Sequence, residues 1–338
     1  MMFMPYFFFF MSSLFLGLFI SLCSSSWLYV WMGLEINLIS FIPIMMSSHT
    51  MMETESALKY FMVQAFGSGL LLFGVFFYMM SCYMNIGIAP GLFIIVFSLM
   101  VKLGMVPFHF WLPHVMGGSS WMTCMMLSVV QKISPMFVLF NLMSFYNMYL
   151  ALICGFGSLV GGLGGLNQSQ LRFILAYSSI GHMGWMMMCS MFSYSLFIIY
   201  FLVYSLINIS IMTIMNYYNL KILSMMNMNN ISSFYFISLG FMFMSLAGLP
   251  PFLGFYPKMV VLSMSMSFDC MYVVFMLVLG SLMNIFYYLN IFFNLYLSSY
   301  FSEIMVSGVV YNFNFVFYSV FLGLFSTLSM GLLYCFYF

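Results

Sequence analysis

Residues 5–23 read PYFFFFMSSLFLGLFISLC, a run apolar on every face. It shows neither the two-residue alternation of a membrane barrel strand nor the one-sided stripe of a helix on a soluble core. A helix of about 20 such residues crosses a bilayer and satisfies its own backbone without water. The texture continues through the chain: of 338 residues, 65% are hydrophobic, 22% aromatic and 3% charged, with mean hydropathy +1.15. That composition leaves too little polar surface for a soluble domain. The sequence predicts an all-α polytopic membrane protein, with 1–338 forming a single integral membrane domain.

The N-terminus has no cationic region ahead of its apolar run and is not an Arg-rich transit peptide, so it reads as a first span. Polar breaks at Ser24–Ser26, His49–Ser56, Asn167–Gln170, Asn216–Ser233 and Ser298–Asn314 help to divide the chain into about eleven spans. These fall at roughly 3–22, 25–46, 57–80, 86–108, 119–145, 148–166, 171–192, 194–217, 232–256, 270–296 and 313–336. Lys59, Arg172 and Lys221 then share one side, which the positive-inside tendency assigns to the matrix or cytoplasm, with the N-terminus inside and the C-terminus outside. The seven cysteines show no C-x-x-C pair or metal spacing and read as small core residues. A net charge of +1 offers no patch for nucleic acid. The 42 Met and 44 Phe, with almost no Ala or Arg, suggest an AT-rich organelle genome.

Four charges lie inside the apolar runs: Glu35, Lys102, Lys132 and Lys258. Each costs roughly 2.5–3.5 kcal/mol at bilayer depth, so such residues mark function more often than packing. A lysine suits proton transfer because desolvation disfavours its ammonium form and a nearby carboxylate restores it. Two charges about 4 Å apart interact by roughly 4 kcal/mol at an effective dielectric of 20, against about 2.3 kcal/mol per charge for a 100 mV potential. Glu35 has no cation within reach on its own helix, and Lys102 is its expected partner. A static pair would fix helix packing instead, but desolvation roughly cancels that gain. His182, with Tyr177, Ser178 and Ser179 before it as hydroxyl links, adds a group that carries protons near neutral pH. His109 is a weaker candidate, and His49, His114, Glu53, Glu55, Asp269 and Glu303 at break edges are expected to be solvated.

One pattern repeats. PFHFWLP at 107–113 and PFLGFYP at 251–257 share P-F-x-x-aromatic-x-P, each beside a membrane lysine. An odd number of spans separates them, so the copies point oppositely through the bilayer, as in transporters built from inverted repeats, here 25–166 and 171–296. The prolines, Pro107, Pro113, Pro135, Pro250, Pro251 and Pro257, support helix breaks. Inside a helix each would free the carbonyl four residues earlier: Leu103, Gln131 and Leu253 for Pro107, Pro135 and Pro257, and Leu246 and Ala247 for Pro250 and Pro251. No nucleotide, nucleophile, zinc or haem motif is present, so no redox chemistry and no cofactor are predicted in this chain.

The blocks WMGLEINLISFIPIM, ESALKYFMVQA, VKLGMVPFHFWLPHV, VVQKISP, NQSQLRFILAYSSIGHMGWM and LAGLPPFLGFYPK, from about residue 31 to 260, resemble in order and spacing the chain 2 family of mitochondrial NADH:ubiquinone oxidoreductase, respiratory complex I. The resemblance implies an antiporter-like membrane-arm subunit with two inverted five-helix bundles and two discontinuous helices. It places the family's glutamate at Glu35, its lysines at Lys102, Lys132 and Lys258, and its relay histidine at His182. His114 and Phe173 depart from the family, which usually carries an acid at the first position and often a lysine at the second.

The expected function is proton translocation across the mitochondrial inner membrane, driven by NADH oxidation and quinone reduction in other subunits. Glu35 and Lys102 would form a switchable pair, Lys132 the central store, and His182 a link toward Lys258. The expected partners are the other membrane-arm and accessory subunits and lipids. The rivals are a structural spacer without a proton path and a free-standing cation/proton antiporter.

Overall fold

The computed structural model describes residues 5–47, 50–84, 89–142, 147–220, 233–250, 252–266 and 271–303. Among them there is no strand, and six helical stretches are long and apolar enough to cross a membrane: Tyr6–Cys23, Trp27–Met45, Met51–Cys82, Trp121–Leu142, Tyr194–Tyr218 and Met271–Leu295. Pro90–Leu103, Leu150–Gly165 and Ser238–Ala247 are shorter apolar helices. The chain is all-α and polytopic. Phe8, Phe9, Leu16 and Phe19 of the first helix lie exposed, while asparagines, lysines and two histidines are buried. That inversion of the usual distribution suits a chain whose solvent is lipid. The expected span 313–336 lies outside the described residues.

The chain divides into two compact units, with the boundary between Asn147 and Met148. The first contains α1 (Pro5–Cys23), α2 (Trp27–Met45), α3 (Met51–Met84), α4 (Ala89–Leu103), α5 (Trp111–Gly118), α6 (Trp121–Ser128) and α7 (Val130–Leu142). There α1 packs on α2, α3 on α4 and α5, and α7 on α4 and α6. The second contains α8 (Asn147–Gly165), α9 (Leu171–Phe192), α10 (Tyr194–Tyr218), α11 (Ser233–Ala247), α12 (Phe255–Ser265) and α13 (Met271–Glu303). There α11 packs on α13, and α9 on α10, α12 and α13.

The boundary between α9 and α10 follows the sequence closely. Ser193 ends one helix, its N–H donating to the Cys189 carbonyl, and caps the next by accepting the Leu196 N–H at 3.4 Å. A short hydroxyl side chain in extended backbone can satisfy one of the four donors a helix start leaves open.

Three expected spans are not continuous. Helix α4 stops at Leu103 because Gly104 turns left-handed, at φ +68°, which costs an L-residue about 1–2 kcal/mol and glycine almost nothing. Gly104 N–H then reaches the Val101 carbonyl, and Met105 N–H the Met100 carbonyl. Helix α11 ends the same way: Gly248 has φ +78° and donates to Ser245, and Leu249 donates to Met244. Both ends have the paired bonds of a Schellman termination. Each glycine stands three residues ahead of the first proline of the repeat. The third interruption is at Val129, which separates α6 from α7 within the stretch expected as 119–145. Beside it, Lys132 N–H reaches back three residues to the Val129 carbonyl at 3.3 Å.

The prolines therefore act differently from the expectation. Pro107 follows an α4 already ended by Gly104, and Pro250 likewise follows Gly248. Pro113 and Pro257 occupy the third positions of α5 and α12, where a helix N–H has no partner to lose. Pro135 alone among the described prolines of the site lies deep in a helix, α7, and leaves the Gln131 carbonyl without its usual donor. Pro251 lies outside the described residues.

Candidate proton-transfer sites

In the first unit, α2 carries Glu35 and α4 carries Lys102 in its last turn. The two lie within Coulombic range but not in salt-bridge contact; the ion pair on the neighbouring α3 surface is Lys59–Glu55, at 2.6 Å. Lys102 is 6% exposed and Lys132, on α7, 2%. Both lysines line one cavity of about 20 Å³, room for about one water molecule. Helix α3 holds this arrangement from one face. Tyr60 and Gln64, one turn apart, reach different neighbours: the Tyr60 hydroxyl donates to Gln131 Oε1 at 3.1 Å, and Gln64 Nε2 donates to the Lys102 carbonyl at 3.0 Å. Gln131 Nε2 donates to Asn37 Oδ1 of α2 at 3.0 Å. Trp111 Nε1 of α5 donates to the Val101 carbonyl at 3.1 Å, so the open end of α4 is satisfied by side chains as well as by Gly104. His109 stands in the break between α4 and α5, 7% exposed, with Nδ1 3.2 Å from the Pro107 carbonyl and its ring against Phe110.

In the second unit, Lys258 is 5% exposed and donates to the Ala247 carbonyl at 2.7 Å, the last residue of α11 before the glycine turn. Its ammonium sits 5.9 Å over the ring of Trp185 on α9. A charge-assisted bond, the negative end of a helix dipole and an aromatic face together cradle the cation. One turn earlier on α9, His182 Nδ1 lies 3.1 Å from the Tyr200 hydroxyl, and its ring packs against Tyr204. Asn208 Nδ2 donates to the Tyr204 hydroxyl at 3.1 Å.

The hydroxyl links expected before His182 act otherwise. Ser178 and Ser179 donate to the carbonyls of Leu175 and Ala176 at 2.9 and 2.7 Å, so their protons turn back into α9. Sequence reasoning missed Tyr60, Gln64, Gln131, Tyr200, Tyr204 and Asn208 as site residues. The available signal was a polar tip in an apolar run, which 24 tyrosines dilute. Other edge expectations divide: His114 and Glu55 are exposed, whereas Glu53, in the first turn of α3, is 6% exposed. Of the cysteines, 124, 154 and 189 are buried and Cys23 and Cys82 exposed; 270 and 335, like Asp269, Lys221 and His49, lie outside the described residues.

The NADH:quinone oxidoreductase/Mrp antiporter transmembrane family matches residues 24–284. The chain is 40% identical over 289 residues to NADH-ubiquinone oxidoreductase chain 2 of Lumbricus terrestris, covering 83% of this chain and 84% of that one. It is 38% identical over 292 residues to the same-named protein of Locusta migratoria, covering 84% of each. A chain of respiratory complex I from Thermus thermophilus with bound aureothin shares the fold, with a TM-score of 0.78 at 21% identity over 96% of this chain and 77% of that one. The protein therefore belongs to the NADH:quinone oxidoreductase/Mrp antiporter family of transmembrane proteins, among its NADH-ubiquinone oxidoreductase chain 2 members.

Proposed function

We propose that this chain is a membrane-arm subunit of respiratory complex I that moves protons across the mitochondrial inner membrane, while NADH oxidation and quinone reduction occur in other subunits. The relatives' name, NADH-ubiquinone oxidoreductase chain 2, and the transmembrane antiporter family support this reading. The observation that carries the proton role is the pair Lys102 and Lys132 on one water-sized cavity, with Glu35 in Coulombic range of Lys102. A carboxylate moving toward contact with Lys102 would favour its ammonium by up to roughly 4 kcal/mol, and withdrawal would release a proton toward the cavity and Lys132. In the second unit, Lys258 and His182 play the corresponding parts, with cradle and phenol neighbours in place of a carboxylate. Their passage of protons is part of this reading.

The same reading includes eleven spans, two inverted bundles with helix breaks at residues 104–110 and 248–254, an N-terminus on the matrix side, and no cofactor in this chain. Neighbouring antiporter-like subunits, accessory subunits and lipids are the partners. Reconstituting the complex with Lys132→Ala into vesicles and measuring protons moved per NADH tests the role. A lower ratio at retained assembly is expected; an unchanged ratio overturns the reading.

A further inference from the structure

Three helices of the first unit are tied together by one uncharged chain of side chains. Tyr60 of α3 donates to Gln131 Oε1, and Gln131 Nε2 donates to Asn37 Oδ1 of α2. Gln131 immediately precedes Lys132, and Asn37 stands two residues after Glu35. Tyr60, Gln131 and Asn37 all line the cavity that Lys102 and Lys132 share, and Tyr60 is within Coulombic range of Glu35. The phenol is pinned on its apolar sides, with ring centroids 5.3 Å from Phe41 and 6.0 Å from Trp111. Thus the helix of the glutamate and the helix of the central lysine are joined by a carboxamide that uses one donor and one acceptor at once.

A carboxamide makes hydrogen bonds without titrating. It can align neighbours and fill a polar gap, yet it cannot take up a proton on one side and surrender another on the opposite side as an imidazole or carboxyl can. We infer that Gln131 is a positioning residue that locks the Glu35 helix to the Lys132 helix and interrupts direct proton passage between them. Passage then requires α2 or α3 to shift far enough to break the amide bridge, which makes the movement of Glu35 the condition for discharging Lys132. The bridge also lines a cavity with room for about one water molecule. The inference rests on the proton-translocating reading above and deepens it by naming what separates its two halves.

The test uses the assembled complex in vesicles, with two readouts: passive proton leak without NADH, and protons moved per NADH. Tyr60→Phe removes one hydrogen bond of the lock at nearly constant shape, and is expected to raise the leak about fivefold, the population change that one such bond is worth. Gln131→Glu replaces the insulating link with a group that can relay, and is expected to leak more than Tyr60→Phe and to lower protons per NADH while NADH oxidation continues. Wild-type leak and ratio in both variants overturn the lock. If either variant fails to assemble, Asn37→Leu takes its place, and the same two readouts decide. Lys132→Ala separates the levels: a lowered ratio there with wild-type behaviour in the lock variants rejects the lock alone, and an unchanged ratio there rejects the translocation reading and the lock with it.

Discussion

Lys102 and Lys258 stand beside the same kind of helix end, a glycine turn with paired backbone bonds, and are held there by different forces. Lys102 lies on the helix that ends; its carbonyl is taken by Gln64, and its countercharge is Glu35 on another helix. Lys258 lies on the helix that begins after the turn, and its ammonium reaches back to the Ala247 carbonyl with Trp185 beneath it. A charge governed by a distant carboxylate responds to helix movement over several ångströms, because Coulomb energy falls slowly with distance. A charge governed by a carbonyl contact responds only when the helix end itself deforms, because hydrogen-bond geometry is short-ranged. The same kind of break thus stands beside a lysine with a distant carboxylate in one unit and beside a lysine held by a carbonyl and an indole in the other.

The strongest way to break this comparison is Glu35→Gln. It removes the countercharge of Lys102 and is expected to lower protons per NADH in vesicles, with an energetic effect bounded by the roughly 4 kcal/mol of a contact pair. A ratio equal to wild type would mean that Lys102 is held locally, as Lys258 is. Next comes Gly248→Ala, expected to destabilise the assembled complex by about 1–2 kcal/mol from the left-handed backbone alone. The added Cβ would also sit 2.7 Å from the Lys258 ammonium, so protons per NADH should fall together with the melting temperature. Gly104→Ala meets a side-chain tip, Leu112 Cδ1 at 3.1 Å, and should lower the melting temperature with a smaller effect on the ratio. The smallest effect is expected for Trp185→Leu, a loss of about 0.5–2 kcal/mol in cation–π stabilisation, seen as a modest drop in melting temperature that Trp185→Phe partly restores. Equal losses of the proton ratio in Trp185→Leu and Glu35→Gln would erase the distinction between the two lysines.

Much of the fold could be read from the chain. Residues 171–192 form a helix with the expected bounds because Gln170 and Ser193 flank an uninterrupted apolar-rich run. The breaks after Leu103 and Ala247 are less legible, because the prolines mark the region while left-handed Gly104 and Gly248 end the helices. The interruption at Val129 carries no sequence mark: valine is an ordinary residue of membrane helices, and φ −115°, ψ −66° there is a property of the packed chain. Of the site, the charged residues were legible because a charge in an apolar run is costly on any helix face. Gln131, Tyr60 and Tyr200 were not, because a neutral polar side chain gains its meaning from the residue across the interface.

The sequence by itself determined an all-helical chain in a lipid solvent, its family, and the few buried ionisable groups, since hydropathy and charge penalties are local and additive along the chain. The tertiary structure decided what each charge answers to. Lys102 acquired a carboxylate at a distance, Lys258 a carbonyl and an indole, and Lys132 a shared cavity beside an amide bridge. Those assignments join residues tens of positions apart, and only the packing of helices brings them within the few ångströms over which hydrogen bonds and local fields act.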